Sequence, residues 1–408
     1  MTKDEPSIDS VVMPGALAEM IEPPRSHAAD AATVDTPAAG LAAVIAIGCV
    51  ALLMLGVQPV VLGALQSAGR LTIPAMGQAA TIETLALGAV SAGMAARVRH
   101  RRLRLWSLLG VVLIIAANGA GLVANGLGFV LSRGLAGVAG GIIVWVATGV
   151  ITRRHDAGRV NAIFLGAQAL SQGATAALIP VTIGPTLGAD SGLWVIGGLA
   201  VLGLLLLPLI PRQLPDPPAE AKARGRLNLS SLAALASLVL MLAGIVGLWV
   251  YVEPIAAAER IPADTVAFAV AASLAAQVAG AVIFVAIEKR LRPAAGLLGV
   301  AAALLAVTAS FAWLPGLAPF FAAILVFGVL WTFAMALGLP LLIAADPTRR
   351  AALYGPAAIL LGASLGPLLA GAMASDTNIS PALGVAAALT AGAAAFVIAS
   401  AVSRGRGS

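Results

Sequence analysis

Ionisable side chains are scarce in this chain, and the few inside long apolar runs are where chemistry would have to happen. Glu83 lies deep in one such run and Arg133 at a matching depth in another. A carboxylate in hydrocarbon takes up a proton unless a cation holds it charged, and a charged side chain there costs about 2.5–3.5 kcal/mol on insertion scales. Two readings of the pair follow. It is a proton site whose occupancy changes as Arg133 or a substrate moves, or it is a fixed ion pair joining two helices. Glu253, in Trp249-Val250-Tyr251-Val252-Glu253-Pro254, is either a substrate or proton group facing a cavity or an acid touching water near the membrane edge. Gln58-Pro59 is a similar polar–proline pair, 195 residues earlier (253 − 58). Proline removes a backbone donor, which frees a carbonyl for a ligand or for gating.

Other chemistries are not supported by the residues. No Gly-x-x-x-x-Gly-Lys-Ser/Thr phosphate loop occurs, so ATP-driven pumping by this chain is not expected. The three histidines, His27, His100 and His155, lie outside the apolar runs, and no metal-ligand cluster or nucleophile-and-base set stands out. No metal, no cofactor and no enzyme activity are expected.

These side chains must be positioned by membrane helices. The 408 residues are 60% hydrophobic and 10% charged, with a mean hydropathy of +1.01, against roughly 45–50% apolar and about 25% charged in soluble domains. About 20 apolar residues cross a bilayer, and twelve such runs are expected, over 39–66, 73–97, 105–124, 126–151, 160–183, 190–210, 229–256, 264–287, 294–314, 317–344, 351–374 and 379–402. They lack the alternation of a barrel. With twelve crossings, 21 of the 24 basic residues fall on one side and Arg70 and Arg260 on the other, with Arg133 inside a helix (21 + 2 + 1 = 24). Positive charge stays cytoplasmic, so both termini are expected inside and the helix number even. The net charge of +6 therefore reflects topology rather than nucleic-acid binding.

Residues 1–38, with seven acids and several prolines, read as a disordered cytoplasmic tail and not as a secretory signal. Residues 211–228, Pro-rich and charged, read as a cytoplasmic linker between halves spanning 39–210 and 229–403. The single cysteine, Cys49, can form no internal disulfide. A short internal repeat supports two halves. Ile73-Pro74-Ala75 and Arg102-Leu103-Arg104 bracket one apolar segment, and Ile261-Pro262-Ala263 and Arg290-Leu291-Arg292 bracket another, all at an offset of 188 residues. An apolar chain of two such halves is a common build for a secondary transporter, with the substrate site between them.

Twelve helices in six-plus-six form, inside termini and a polar central linker resemble the major facilitator superfamily over about residues 39–403. Its loop between helices two and three usually reads Gly-x-x-x-Asp-Arg-x-Gly-Arg-Arg. Here Gly93 and the closing Arg101-Arg102 match, but Arg97 takes the acid position and His100 that of the second glycine. Arg97 to Arg104 read either as this loop motif or as a topology anchor at the headgroups. The Arg-x-x-x-Gly of helix four in proton-coupled members resembles Arg133 to Gly137, and small residues at 137 and 141 share a face that permits close helix approach. The glycine–proline motif of helix five in proton antiporters survives only as a remnant around Gly173 and Pro180, whereas helix eleven carries the cleaner Gly362-x-x-x-Gly366-Pro367.

The resemblance implies that helices one, four, seven and ten line a central cavity, with two, five, eight and eleven beside them. That nominates Gln58, Gln168, Gln172, Tyr251, Gln277 and Trp331 as cavity residues. Gln168 and Gln172, four apart, share a face. Each amide either orients a substrate or bonds helix to helix, and Trp331 is either a stacking wall or packing. Trp106, Trp194 and Trp313 sit near helix ends and read as interface anchors.

The expectation is a secondary active transporter that moves a small organic solute, such as an organic acid, across the bacterial inner membrane by alternating access. Protons drive it through Glu83 and Arg133, with sodium as the other coupling ion considered, and one copy of the chain is the working unit. Export of a drug or metabolite by a proton antiporter is the alternative within this class. Outside it stand a non-transporting membrane sensor and a lipid-handling enzyme. An enzyme would need clustered acids at a membrane surface, and Asp156, Asp216, Glu220 and Glu288 are scattered.

Overall fold

The computed structural model describes residues 36–215, 227–346 and 350–405. Positions 1–35 of the expected tail and 216–226 of the expected linker lie outside these. Twelve helices are long and apolar enough to cross a membrane. They are α1 (Ala38–Ser67), α2 (Ile73–Arg97), α3 (Leu103–Val123), α4 (Gly126–Ile151), α5 (Ala157–Thr182), α6 (Gly184–Leu209), α7 (Leu229–Trp249), α8 (Ala263–Arg290), α9 (Pro293–Trp313), α10 (Leu317–Ala345), α11 (Gly355–Met373) and α12 (Ser380–Ser403). Among the described residues there are two isolated β-bridges and no strand. The fold is all-helical, two pseudo-symmetric bundles of six.

The departures from the expected spans have local causes. Helix α7 stops at Trp249 and a short helix, Val252–Ala258, resumes the run. Pro254 has no N–H to give the Val250 carbonyl, so the ladder breaks four residues upstream of it. The run ending at 374 is interrupted at Tyr354, between a short helix, Arg350–Leu353, and the helix from Gly355, with Pro356 in the latter's first turn, where a missing N–H costs nothing. Helix α6 contains 3₁₀ turns at Gly188–Asp190 and at Leu204–Leu209, the latter holding Pro208.

Glycines set how closely the helices approach, as the 137/141 spacing suggested. A Cβ on Gly137 would lie 2.2 Å from the Glu83 carbonyl oxygen, and one on Gly141 2.7 Å from that of Leu87, so α4 rides directly on the α2 backbone. The second bundle repeats the device. A Cβ on Gly362 would lie 2.2 Å from the Val239 carbonyl oxygen, and one on Gly366 2.0 Å from that of Ala243, which seats α11 on α7.

The end of the molecule where α1 begins and α6 finishes is here the linker end; the opposite end is the far end. At the linker end, residues after α6 are bound to the loop between α2 and α3. Leu214 N–H donates to the His100 carbonyl at 2.9 Å, and Leu103 N–H to the Arg212 carbonyl at 2.9 Å. Arg153 Nε donates to the Pro215 carbonyl at 3.0 Å. His100 stacks on Trp145 with ring centroids 4.5 Å apart.

Candidate functional site

The two bundles meet along a seam formed by α2 with α11, α5 with α8, and α1 with α7 and the short helix after it. Helix α2 presents Gly77, Thr81 and Gly88 to this seam. Thr81 Oγ1 donates to the Ser364 carbonyl at 2.7 Å. A Cβ on Gly77 would lie 2.2 Å from the Tyr251 hydroxyl and one on Gly88 2.9 Å from Leu360 Cδ1. Tyr251 is fully buried, and its hydroxyl donates to the Pro367 carbonyl at 2.8 Å, which wedges the ring between α2 and α11. At the far end of α2, Ile73 N–H donates to Asp376 Oδ1 at 2.7 Å.

Along α1, the freed proline carbonyl expected from Pro59 has a partner across the seam. Pro59 cannot bond back to Leu55, and the indole Nε1 of Trp249 donates to the Leu55 carbonyl at 3.3 Å. Trp249 is fully buried and stacks on Phe327 at 5.9 Å, while Trp331 meets it edge-on at 5.6 Å. Trp331 itself is half-buried. Three turns further toward the far end, Ser67 Oγ donates to Glu253 Oε1 at 3.1 Å. Glu253 reaches α1 because position 63 has no side chain, and a Cβ there would fall 2.6 Å from its Cγ. Glu253 is 6% exposed and its Oε2 has no hydrogen-bond partner.

Glu83 and Arg133 are brought together, but within the first bundle. Glu83 is two residues from Thr81, about 200° round the helix, so it faces α4 while Thr81 faces α11. Arg133 Nε lies 3.6 Å from Glu83 Oε2, and both side chains are buried. Those two atoms have no hydrogen-bond partner, so the pair is an ionic contact without a bond. Arg133 Nη1 donates to Asn118 Oδ1 of α3 at 3.3 Å, and its guanidinium lies 6.0 Å from the centre of the Phe129 ring.

The amides differ in use. Gln172 Nε2 donates to the Leu52 carbonyl at 2.8 Å, tying α5 to α1, and Gly56 makes room for its side chain. Gln58 is buried with Nε2 unpartnered. Gln168 and Gln277 are half-buried, and the Gln277 backbone carbonyl accepts from Thr332 Oγ1 at 2.9 Å. At the linker end, Gly93 is half-buried while Arg101 and Arg102 are exposed, with Arg101 bridging to Gln213. Among the described residues no three His, Cys, Asp or Glu side chains cluster as a metal site.

Sequence reasoning passed over Ser67, Asn118 and Arg70. Arg70 is one of only two basic residues expected on the outer side. It pairs with Asp190 and donates to the carbonyls of Gly121 at 2.7 Å and Ala124 at 2.8 Å, tying three far-end loops of the first bundle together. Its isolation among loops otherwise free of bases was the available signal.

No family model matches this chain, and no curated protein matches it. Solved structures do. The chain is similar to a bacterial homolog of the human lysosomal transporter Spinster, in its inward-facing and occupied conformation, with a TM-score of 0.63 and 17% identity over 89% of this chain and 94% of that one. It is also similar to the nucleoside transporter NupG, with a TM-score of 0.68 and 12% identity over 89% of this chain and 98% of that one. The fold is the one these transporter structures share.

Proposed function

We propose that this chain is a secondary active transporter that carries a small organic solute across the bacterial inner membrane by alternating access, driven by protons. The moving units are residues 39–210 and 229–403. Basic residues crowd the linker end, so that end and both termini face the cytoplasm and the far end faces outside. The supporting observation is where the bundles are tied. Bonds from Ile73 to Asp376, Ser67 to Glu253, Thr81 to Ser364 and Trp249 to Leu55 join them across the far half of the seam. Such ties can be broken and remade, which supports a carrier whose bundles separate and rejoin at that end.

Proton coupling rests on the Glu83–Arg133 contact, which is ionic yet short of a hydrogen bond. Protonation of Glu83 releases Arg133, and the coupled ion drives transport only through a difference in affinity between the two states. A stabilisation screen of purified protein supplies a substrate, and uptake into proteoliposomes with and without an uncoupler tests the cycle. Glu83→Gln keeps exchange and abolishes proton-driven accumulation. Accumulation undiminished in that variant refutes the assignment of coupling to Glu83, and absence of flux for every stabilising ligand refutes transport.

A further inference from the structure

At the far end of the seam a cavity of about 200 Å³ opens beside Glu253. Its walls come from both bundles: Val60, Val61 and Ala64 of α1, Ile179 and Pro180 of α5, the start of α6, and Val266 and Ala267 of α8. The lining is apolar apart from Glu253 and Ser191, and it holds no basic side chain. Glu253 is 94% buried (100 − 6), and one of its two carboxylate oxygens, Oε2, is unpartnered and sealed from water-sized space in this state. A buried carboxylate without a cation is costly, and the side chain is held in place by Ser67 and by the gap at Gly63.

From this geometry we infer that the cavity is an outer binding subsite for a small protonated amine with an apolar body, whose ammonium group pairs with Glu253. The inference rests on the transporter reading and gives that carrier a class of solute. Other ligand classes fit less well. An anion would meet the carboxylate with nothing to offset it. A neutral apolar molecule would give the group no partner and leave it to take up a proton. A hard metal cation needs about six oxygens, and the lining side chains offer one carboxylate and one hydroxyl. Size is also set: ligand pockets usually run to about 300–1,000 Å³, so this one takes a single ring or short chain rather than a drug-sized molecule. Ammonium, carboxylate and apolar wall supply charge pairing and burial together, which neither gives alone.

Three probes of one shape and different charge test this: benzylamine, benzyl alcohol and benzoate. Binding of each to purified full-length protein in phosphatidylglycerol nanodiscs is measured by equilibrium dialysis. Benzylamine is expected to bind at least tenfold more tightly than the other two. Glu253→Gln, which keeps the shape and the acceptor for Ser67, is expected to remove that preference. Ala267→Phe, which fills the cavity from α8, is expected to weaken benzylamine binding while Glu253 remains. Equal binding of all three probes, tighter binding of benzoate, or an undiminished preference in Glu253→Gln overturns the inference. Adding phosphatidylethanolamine to the nanodiscs separates sources of the ammonium: competition with benzylamine assigns the site to a lipid headgroup, and its absence to a free amine, both within the proposal. Flux distinguishes the two levels. Absence of a benzylamine preference in the unsubstituted protein alongside intact transport of another solute refutes the subsite alone, whereas benzylamine binding without flux of any solute refutes the carrier.

Discussion

Replacing Trp249 with phenylalanine isolates one bond across the seam. Trp249 packs on Phe327 and Trp331, both in α10 of its own bundle, so the smaller ring changes packing that moves with that bundle. What phenylalanine removes between bundles is the donor to the Leu55 carbonyl. That carbonyl has no substitute donor in α1, because Pro59 stands where the N–H should be. Leaving a fully buried acceptor unsatisfied costs about 1–3 kcal/mol, and this one is only partly buried. The bond is long at 3.3 Å, so the lower part of that range applies, about 1–2 kcal/mol, or roughly a 5- to 30-fold change in an equilibrium. The penalty falls on the far-closed state, since a state with separated bundles exposes the carbonyl to water. Trp249→Phe therefore shifts the population toward far-open by that factor. Spin labels at Val123→Cys and Thr377→Cys, on a Cys49→Ala background, report the far-end separation by double electron–electron resonance. A distance distribution unchanged by Trp249→Phe would refute the assignment of the indole as a tie between bundles.

Two further outcomes follow from packing and charge. Arg133→Met strands Glu83 in the first bundle and is expected to lower stability by about 3–5 kcal/mol, as breaking a buried pair does, whereas Glu83→Leu with Arg133→Met recovers most of it; thermal unfolding in detergent reads both, and additive losses in the double variant sink the pairing. Gly366→Ala drives a methyl to 2.0 Å from the Ala243 carbonyl and is expected to cost monodisperse protein on size-exclusion chromatography, while Gly384→Ala, where nothing lies within 4 Å, is expected to leave the profile unchanged.

Much of the fold was legible because hydropathy and charge act locally. The runs at 73–97 and 126–151 match α2 and α4 to the residue, since Pro74 and the far-end glycines punctuate them. The break after Trp249 was less visible, because a proline acts four residues upstream of itself. Of the site, the Glu83–Arg133 proximity was legible from matched depth in two helices running the same way. Which neighbour each residue faces was not, because that depends on helix rotation, and rotation is set by glycine contacts such as Gly137 on the Glu83 backbone. The same holds for Tyr251 and Gln172. Each was expected in a cavity, and their donors are engaged with the Pro367 and Leu52 carbonyls. Trp249 emerges as a cross-bundle donor only when the orphaned Leu55 carbonyl is asked for a partner.

The binding of Arg212, Leu214 and Pro215 to the corner around His100 and Arg153 has a mechanical consequence. Those residues are bonded to the first bundle as part of its body. A pull on the chain at Pro215 arrives first at the joint between α2 and α3, at the linker-end root of the helix that carries Glu83. On the proposed alternating-access cycle, tension on the chain leaving Pro215 would load that joint.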